Sequence, residues 1–195
     1  RPPLGHVLAT AHDMSREFRV ITALYPTGFP VPETIALGTE AGVPFYVMRF
    51  VEGSVYRLPG DLAAIGPSAV HDLIIDLVDR LVDLHAIDPA AVGLGDFGRP
   101  DGYNERQVRR WKKQLDASQS REIAGIEELH AKLARDIPEG AGSVVHGDYR
   151  LDNVLIGPDL EINAVLDWEM STLGDPLSDL ALMLVYAGRP LMVRD

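Results

Sequence analysis

The chain has 195 residues, 46% of them hydrophobic, and a formal net charge of −11 at pH 7, which is material for one domain or two small lobes. The acidic balance argues against nucleic-acid and anionic-membrane partners, because both reward clustered Lys and Arg. There is no Cys, which removes disulfides and thiolate metal sites and fits a cytoplasmic protein, and no apolar run is long enough to predict a membrane span or signal peptide.

Pro2 and Pro3 predict an extended start over 1–5. A helix is expected from Asp13, with Asp13 or Ser15 as cap and Phe18, Ile21, Leu24 and Tyr25 on one face, ending at 28–32. Two strands follow, 33–37 and 45–51, joined by a polar turn around Glu40-Ala41-Gly42. Val70, Leu73, Ile74, Leu77, Leu81 and Leu84 recur at helical spacing and predict a long buried helix over 67–87. His71 and His85 lie on that helix. A lone helix histidine is more often a surface or satisfied core residue than a ligand, so neither is assigned a role.

Asp96-Phe97-Gly98 sits among Gly and Pro and reads as a loop. Two helices are expected over 103–117 and 122–135. The first is basic and aromatic, with Arg106, Arg109, Arg110, Trp111, Lys112 and Lys113, a face that fits either solvent or an anionic ligand. Two short apolar runs follow within 144–169, with polar residues at their ends. A turn over 171–175 leads to a last helix, with Asp175 as cap, Pro176 at its first position, and Leu180, Leu184 and Val185 inside.

The chemistry concentrates in 144–169. Asp148, Asn153 and Asp167 are oxygen ligands that a loop and two strands can bring to one point, and oxygen ligands suit a hard cation such as Mg²⁺. Protein kinases use H-R-D-x-x-x-x-N followed by a second, metal-binding Asp. Here His146-Gly147-Asp148 stands for H-R-D, Asn153 falls at the fifth position after Asp148, and Asp167 follows after a hairpin-length gap. Asp96-Phe97-Gly98 spells the kinase metal triplet but precedes Asp148, the wrong order, and is read as coincidence.

The form H-G-D-x-x-x-x-N with Asp167-Trp168-Glu169 resembles the aminoglycoside phosphotransferase family of small-molecule kinases. The run from Tyr103 to Trp111 resembles the branch of that family found fused to acyl-CoA dehydrogenases. The resemblance implies an α+β, protein-kinase-like two-lobed fold with an incomplete N-lobe: a partial N-lobe over 1–52 and a mainly helical C-lobe over 53–195. It implies Asp148 as the group that orients the acceptor hydroxyl and receives its proton, with Arg150 either near the migrating phosphoryl group or in a salt bridge to a structural carboxylate. Asn153 and Asp167 become Mg²⁺ ligands, and Asp152, Asp175 and Asp179 structural residues. Glu17 becomes the lobe-helix acid that pairs with a phosphate-binding Lys. Met48 lines the purine pocket, and the backbone of Arg49 and Val51 holds the base of ATP, with GTP also admissible.

The same resemblance places a small-molecule hydroxyl acceptor, such as an antibiotic or a hydroxyacyl-CoA-type compound, in the C-lobe. The sequence departs from the pattern at one point. Four arginines (Arg1, Arg16, Arg19 and Arg49) and no Lys precede Glu52, and no Gly-rich hairpin occurs. The expectation is that N-terminal strands lie outside this sequence. The alternative is a nucleotide-binding pseudokinase.

Overall fold

The computed structural model describes residues 13–57 and 59–187, so the extended segment expected over 1–5 lies outside it. Helix α1, Met14–Leu24, starts where Asp13 caps it: one carboxylate oxygen accepts from the amides of Ser15 and Arg16, both at 3.1 Å. Its buried stripe is Met14, Glu17, Val20, Ile21 and Leu24, rotated from the expected face. Phe18 instead sits at the rim, edge-on to Tyr46 at 6.2 Å, and Tyr25 begins a separate one-turn helix.

Strands β1 (Thr34–Glu40) and β2 (Val43–Met48) form an antiparallel hairpin. Ala41 and Gly42 both have positive φ, which is the two-residue turn that matches strand twist. Pairing therefore runs up to Glu40 and Val43, past the end expected for the first strand. At the other end, β2 stops at Met48, and the chain leaves the sheet before Val51. Ser54 then exchanges two backbone hydrogen bonds with Ile156, at 2.8 and 2.9 Å, while the Asn163 amide donates to the Glu52 carbonyl at 3.0 Å.

A short helix, α2 (Pro59–Ile65), forms where no element was expected. Gly66 breaks the chain with φ 83, and Pro67 opens α3 (Pro67–Ala86), whose Leu73, Leu77, Leu81 and Leu84 face the core. Helices α4 (Tyr103–Ser118) and α5 (Ile126–Arg135) pack together with no fully buried residue on either. Gly125, at φ 78, delays the start of α5 beyond the expected residue 122.

Strand β3 (Ser143–Val145) pairs antiparallel with β6 (Thr172–Gly174), so the turn expected over 171–175 is a strand. Strands β4 (Val154–Ile156) and β5 (Ile162–Val165) form a second hairpin, and α6 (Leu177–Ala187) follows. The core joins Leu24 and Phe29 to Leu73, Leu77, Leu84, Leu94, Phe97, Val144, Tyr149 and Trp168. Among the described residues no helix is long and apolar enough to cross a membrane.

The Asp96-Phe97-Gly98 loop fastens α1 to the rest. The Arg16 guanidinium lies 4.0 Å from the centre of the buried Phe97 ring and donates to the carbonyls of Phe97 at 2.6 Å and Ser171 at 3.2 Å. Arg19 pairs with Asp96 and donates to the Gly93 carbonyl at 2.8 Å. A Cβ on Gly98 would come within 2.6 Å of the Leu173 amide nitrogen, so this close approach requires glycine. Phe97→Ala removes the ring from both the core and the cation stack. It is expected to cost about 3–5 kcal/mol of unfolding free energy, measured as a fall in the urea midpoint at unchanged slope.

Candidate active site

Strand β3 delivers the chain to His146, which is fully buried. Its Nε2–H donates to the Leu166 carbonyl at 2.9 Å, and its Nδ1 accepts the Asp148 amide at 3.2 Å. Both ring nitrogens are satisfied only in the neutral tautomer that carries its proton on Nε2. Burial pushes the His146 pKa down, against the pull of nearby carboxylates, Asp179 foremost. The ring packs on Trp168 at 4.6 Å and Tyr149 at 5.8 Å. It thus spans the residue before Asp167 and the backbone of Asp148.

The turn after His146 is held from below by Asp179 on α6. This carboxylate, 1% exposed, accepts the amides of His146 and Gly147, each at 2.8 Å, and the Nε2 of His85 at 3.1 Å. Gly147 stands where protein kinases carry Arg, for a steric reason. Its φ is +85, and a Cβ there would come within 2.7 Å of the Met170 carbonyl oxygen. The Tyr149 hydroxyl adds a brace by donating to the Leu77 carbonyl at 2.8 Å.

Asp148 is half-buried. The side-chain amide of Asn153 donates to its Oδ2 at 3.0 Å and to its backbone carbonyl at 2.9 Å, and the Tyr186 hydroxyl donates to its Oδ1 at 3.2 Å. Arg150 pairs with Asp152 and lies 4.7 Å from the centre of the Tyr186 ring. Burial works against its charge, but the hydrogen bond with Tyr186 and the carboxylates of Asp152 and Asp148 outweigh it, so its pKa is raised. Its Nε is enclosed and has no hydrogen-bond partner among the described residues.

Asn153 closes a one-turn helix, Leu151–Asn153, and its carbonyl accepts the Leu166 amide at 2.8 Å. Because Val154 pairs with Val165, Asn153 and Asp167 lie at the same open end of the β4–β5 hairpin. Asp167 has left-handed backbone angles, φ 67 and ψ 61, which Asp tolerates better than most residues. Its carboxylate is exposed and makes no hydrogen bond or ion pair with the described residues.

Glu17 reaches this place from α1, where its Oε1 accepts the Trp168 amide at 3.3 Å. Burial raises its pKa, opposed by hydrogen bonds with Tyr46 and Trp168. The other expected nucleotide contacts stand apart, on the strand end and linker. Met48 is partly exposed, and the Arg49 amide and guanidinium are bonded to the Glu33 carbonyl and carboxylate at 2.8 and 2.7 Å.

Reading the sequence missed two residues here. Tyr186 lies seven residues after Asp179, two helical turns on and so on the same face of α6, a spacing that marks it. His85 carried no such signal, because its partner is far away in the sequence.

A family model described as the phosphotransferase enzyme family matches residues 1–193. The chain belongs to this family. Within it, the sequence is 39% identical over 187 residues to acyl-CoA dehydrogenase family member 11 of Gallus gallus, covering 93% of this chain and 24% of that protein. It is 38% identical over 186 residues to acyl-CoA dehydrogenase family member 10 of Mus musculus, covering 93% of this chain and 17% of that one. The chain therefore spans about a quarter or less of these relatives.

A solved Ralstonia eutropha protein assigned to the aminoglycoside phosphotransferases superposes with a TM-score of 0.82 at 37% identity, over 91% of this chain and 56% of that one. The GDP complex of aminoglycoside 2'-phosphotransferase-IIIa matches with a TM-score of 0.67, over 89% of this chain and 62% of that one. At 17% identity that likeness is one of fold. The protein-kinase-like α+β fold of the phosphotransferase family, with a partial N-lobe, is the one expected.

The residues present fit a magnesium–nucleotide complex. The Asn153 amide uses its NH₂ on Asp148, which leaves its oxygen facing away from those bonds, and the exposed Asp167 carboxylate lies at the same end of the β4–β5 hairpin. Among the described residues no three His, Asp or Glu side chains form a ready-made cation cage. Mg²⁺ characteristically takes one or two protein oxygens and completes its shell with phosphates and water.

Neutral His146 also makes folding sensitive to pH. The unfolded chain takes up a proton at this imidazole as pH falls below about 6.5, and the folded chain resists it, so stability is lost on acidification. Urea unfolding between pH 7.5 and 5.5 is expected to show this as a slope of at most about 1.4 kcal/mol per pH unit. His146→Gln should flatten that slope.

Proposed function

We propose that this chain forms the catalytic part of an ATP- and Mg²⁺-dependent phosphotransferase that moves the γ-phosphoryl group to a hydroxyl of a small molecule. The observation that carries this reading is the placement of Asp148. Asn153 orients its carboxylate at the mouth of the hairpin whose other limb ends in Asp167. In-line transfer asks for positioning of the acceptor and neutralisation of phosphate charge rather than covalent help.

Asp148 orients the acceptor hydroxyl and receives its proton. Asn153 and Asp167 hold the metal, which supplies charge neutralisation on the phosphate oxygens. Arg150, whose Nε has no partner among the described residues, stands by for the migrating phosphoryl group. Glu17 supports the segment that carries Asp167. The nucleotide base lies along Met48, Arg49 and Val51, and the boundary between the lobes falls after Glu52, where the linker docks on β4. The GDP complexes among the structural neighbours keep GTP as a second donor.

The surroundings of the loop bear on the acceptor. A cavity of about 420 Å³ beside Gly147 and Met170 is walled by Arg99, Arg106 and Arg110. It shares Asn104, Gln107, Trp111 and Ser178 with an apolar groove of about 610 Å³ between α4 and α5. A basic wall continuous with an apolar groove suits an anionic, partly aliphatic acceptor of the hydroxyacyl-CoA type. It suits a polycationic aminoglycoside less well. The acyl-CoA dehydrogenase relatives point the same way. A nucleotide-binding pseudokinase, which would hold Mg·ATP without transferring its phosphoryl group, is the second reading.

In the full chain, Asp148→Asn is expected to lower phosphoryl transfer to hydroxyacyl-CoAs by about 10²–10⁴-fold while Mg·ATP affinity stays near wild type. Full turnover in that variant would remove Asp148 from its role. Asp167→Ala is expected to weaken Mg·ATP binding by about tenfold or more in a calorimetric Mg²⁺ titration. Equal affinities would remove Asp167 as a ligand, and binding without transfer to any hydroxyl in the wild type would select the pseudokinase.

A further inference from the structure

Each oxygen of the Asp148 carboxylate already accepts a hydrogen bond. Oδ2 is engaged by Asn153 at 3.0 Å, within the loop that positions it. Oδ1 is engaged by the Tyr186 hydroxyl at 3.2 Å. That second donor has the chemistry of the proposed acceptor, an O–H directed at the catalytic carboxylate. The Arg150 guanidinium lies over the Tyr186 ring, 4.7 Å from its centre. Tyr186 therefore touches, through its hydroxyl and its ring, the two side chains that an acceptor hydroxyl has to lie between.

We propose that Tyr186 is a stand-in for the acceptor: its hydroxyl holds Oδ1 of Asp148 until the acceptor displaces it, and so withholds the carboxylate from water. This rests on the phosphotransferase reading and goes beyond it, because it gives the site a means of suppressing wasteful hydrolysis of the donor.

The magnitudes favour exchange. Hydroxyl-to-carboxylate hydrogen bonds are typically about 2.5–2.7 Å when well formed. The Tyr186 contact is longer, so an acceptor held by its own pocket can make the stronger bond. The backbone of Tyr186 need not move. Asp179, two turns earlier on α6, is fixed by the loop amides, and a rotation of the Tyr186 side chain alone clears Oδ1. The same rotation releases Arg150, whose Nε has no hydrogen-bond partner among the described residues.

The test uses Mg·ATP in the full chain with no acceptor added, so that water is the only hydroxyl source. In hydrolysis the water oxygen bonds to the γ-phosphorus, the bond to the β-phosphate oxygen breaks, and the water proton passes to Asp148 as ADP and phosphate leave. Tyr186→Phe keeps the ring under Arg150 and removes only the hydroxyl. It is expected to raise hydrolysis about fivefold or more, with Mg·ATP affinity by calorimetry unchanged, and Asp148→Asn in the same chain should abolish the increase.

A purely structural role for Tyr186 would not produce a gain that depends on Asp148. Hydrolysis unchanged or lowered in Tyr186→Phe, with Mg·ATP bound as in wild type, overturns the stand-in and leaves the kinase reading intact. A gain that survives in the double variant overturns it as well. Failure of the wild type to bind Mg·ATP overturns the kinase reading, and the stand-in with it.

Discussion

A single carboxylate shut away from water shapes the loop on which the proposed chemistry rests. Burying an unpaired charge costs several kcal/mol, and such a group persists only where its lone pairs are filled. Asp179 meets that condition with the amides of His146 and Gly147 and the ring of His85. The dependence runs in both directions. The loop amides, bent away from any strand partner by the positive φ of Gly147, would be unsatisfied without Asp179. The last helix and the loop are therefore one unit, and the orientation of Asp148 follows from where α6 packs.

The second limb of the site is tied in through neutral groups. His146 bonds to Leu166 with one nitrogen and to Asp148 with the other, and the Trp168 ring packs against its face. The Trp168 amide in turn is held by Glu17 on α1. A chain of contacts thus runs from the first described helix, through the segment bearing Asp167, to the loop bearing Asp148. No member of that chain is a surface ion pair, so salt has little to screen.

Much of this arrangement could be read from sequence, because its signals are local. The spacing from Asp148 to Asn153, the cap at Asp13 and the leucine stripe of α3 each depend on neighbours within a few turns. Features made by distant partners were not legible. Thr172-Leu173-Gly174 is a strand only because Val144 and Val145 lie beside it. His85 gains its role from Asp179, on another helix. Boundaries moved where backbone conformation overrode composition, as at Ala41-Gly42 and Gly125. Asp96-Phe97-Gly98 shows the converse: its resemblance to a metal triplet was set aside on chain order, and its actual work, as a socket for Arg16, left no pattern in the sequence.

That socket has a mechanical consequence. Arg16 binds the carbonyls of Phe97 and Ser171 at once while stacking on a ring in the core. Tilting α1 outward would strand two acceptors and expose an aromatic face together, three losses in one motion. The helix and the stretch after Asp167 are therefore geared to each other like links of one lever. A shift of the first pulls on the second through the Arg16 contacts.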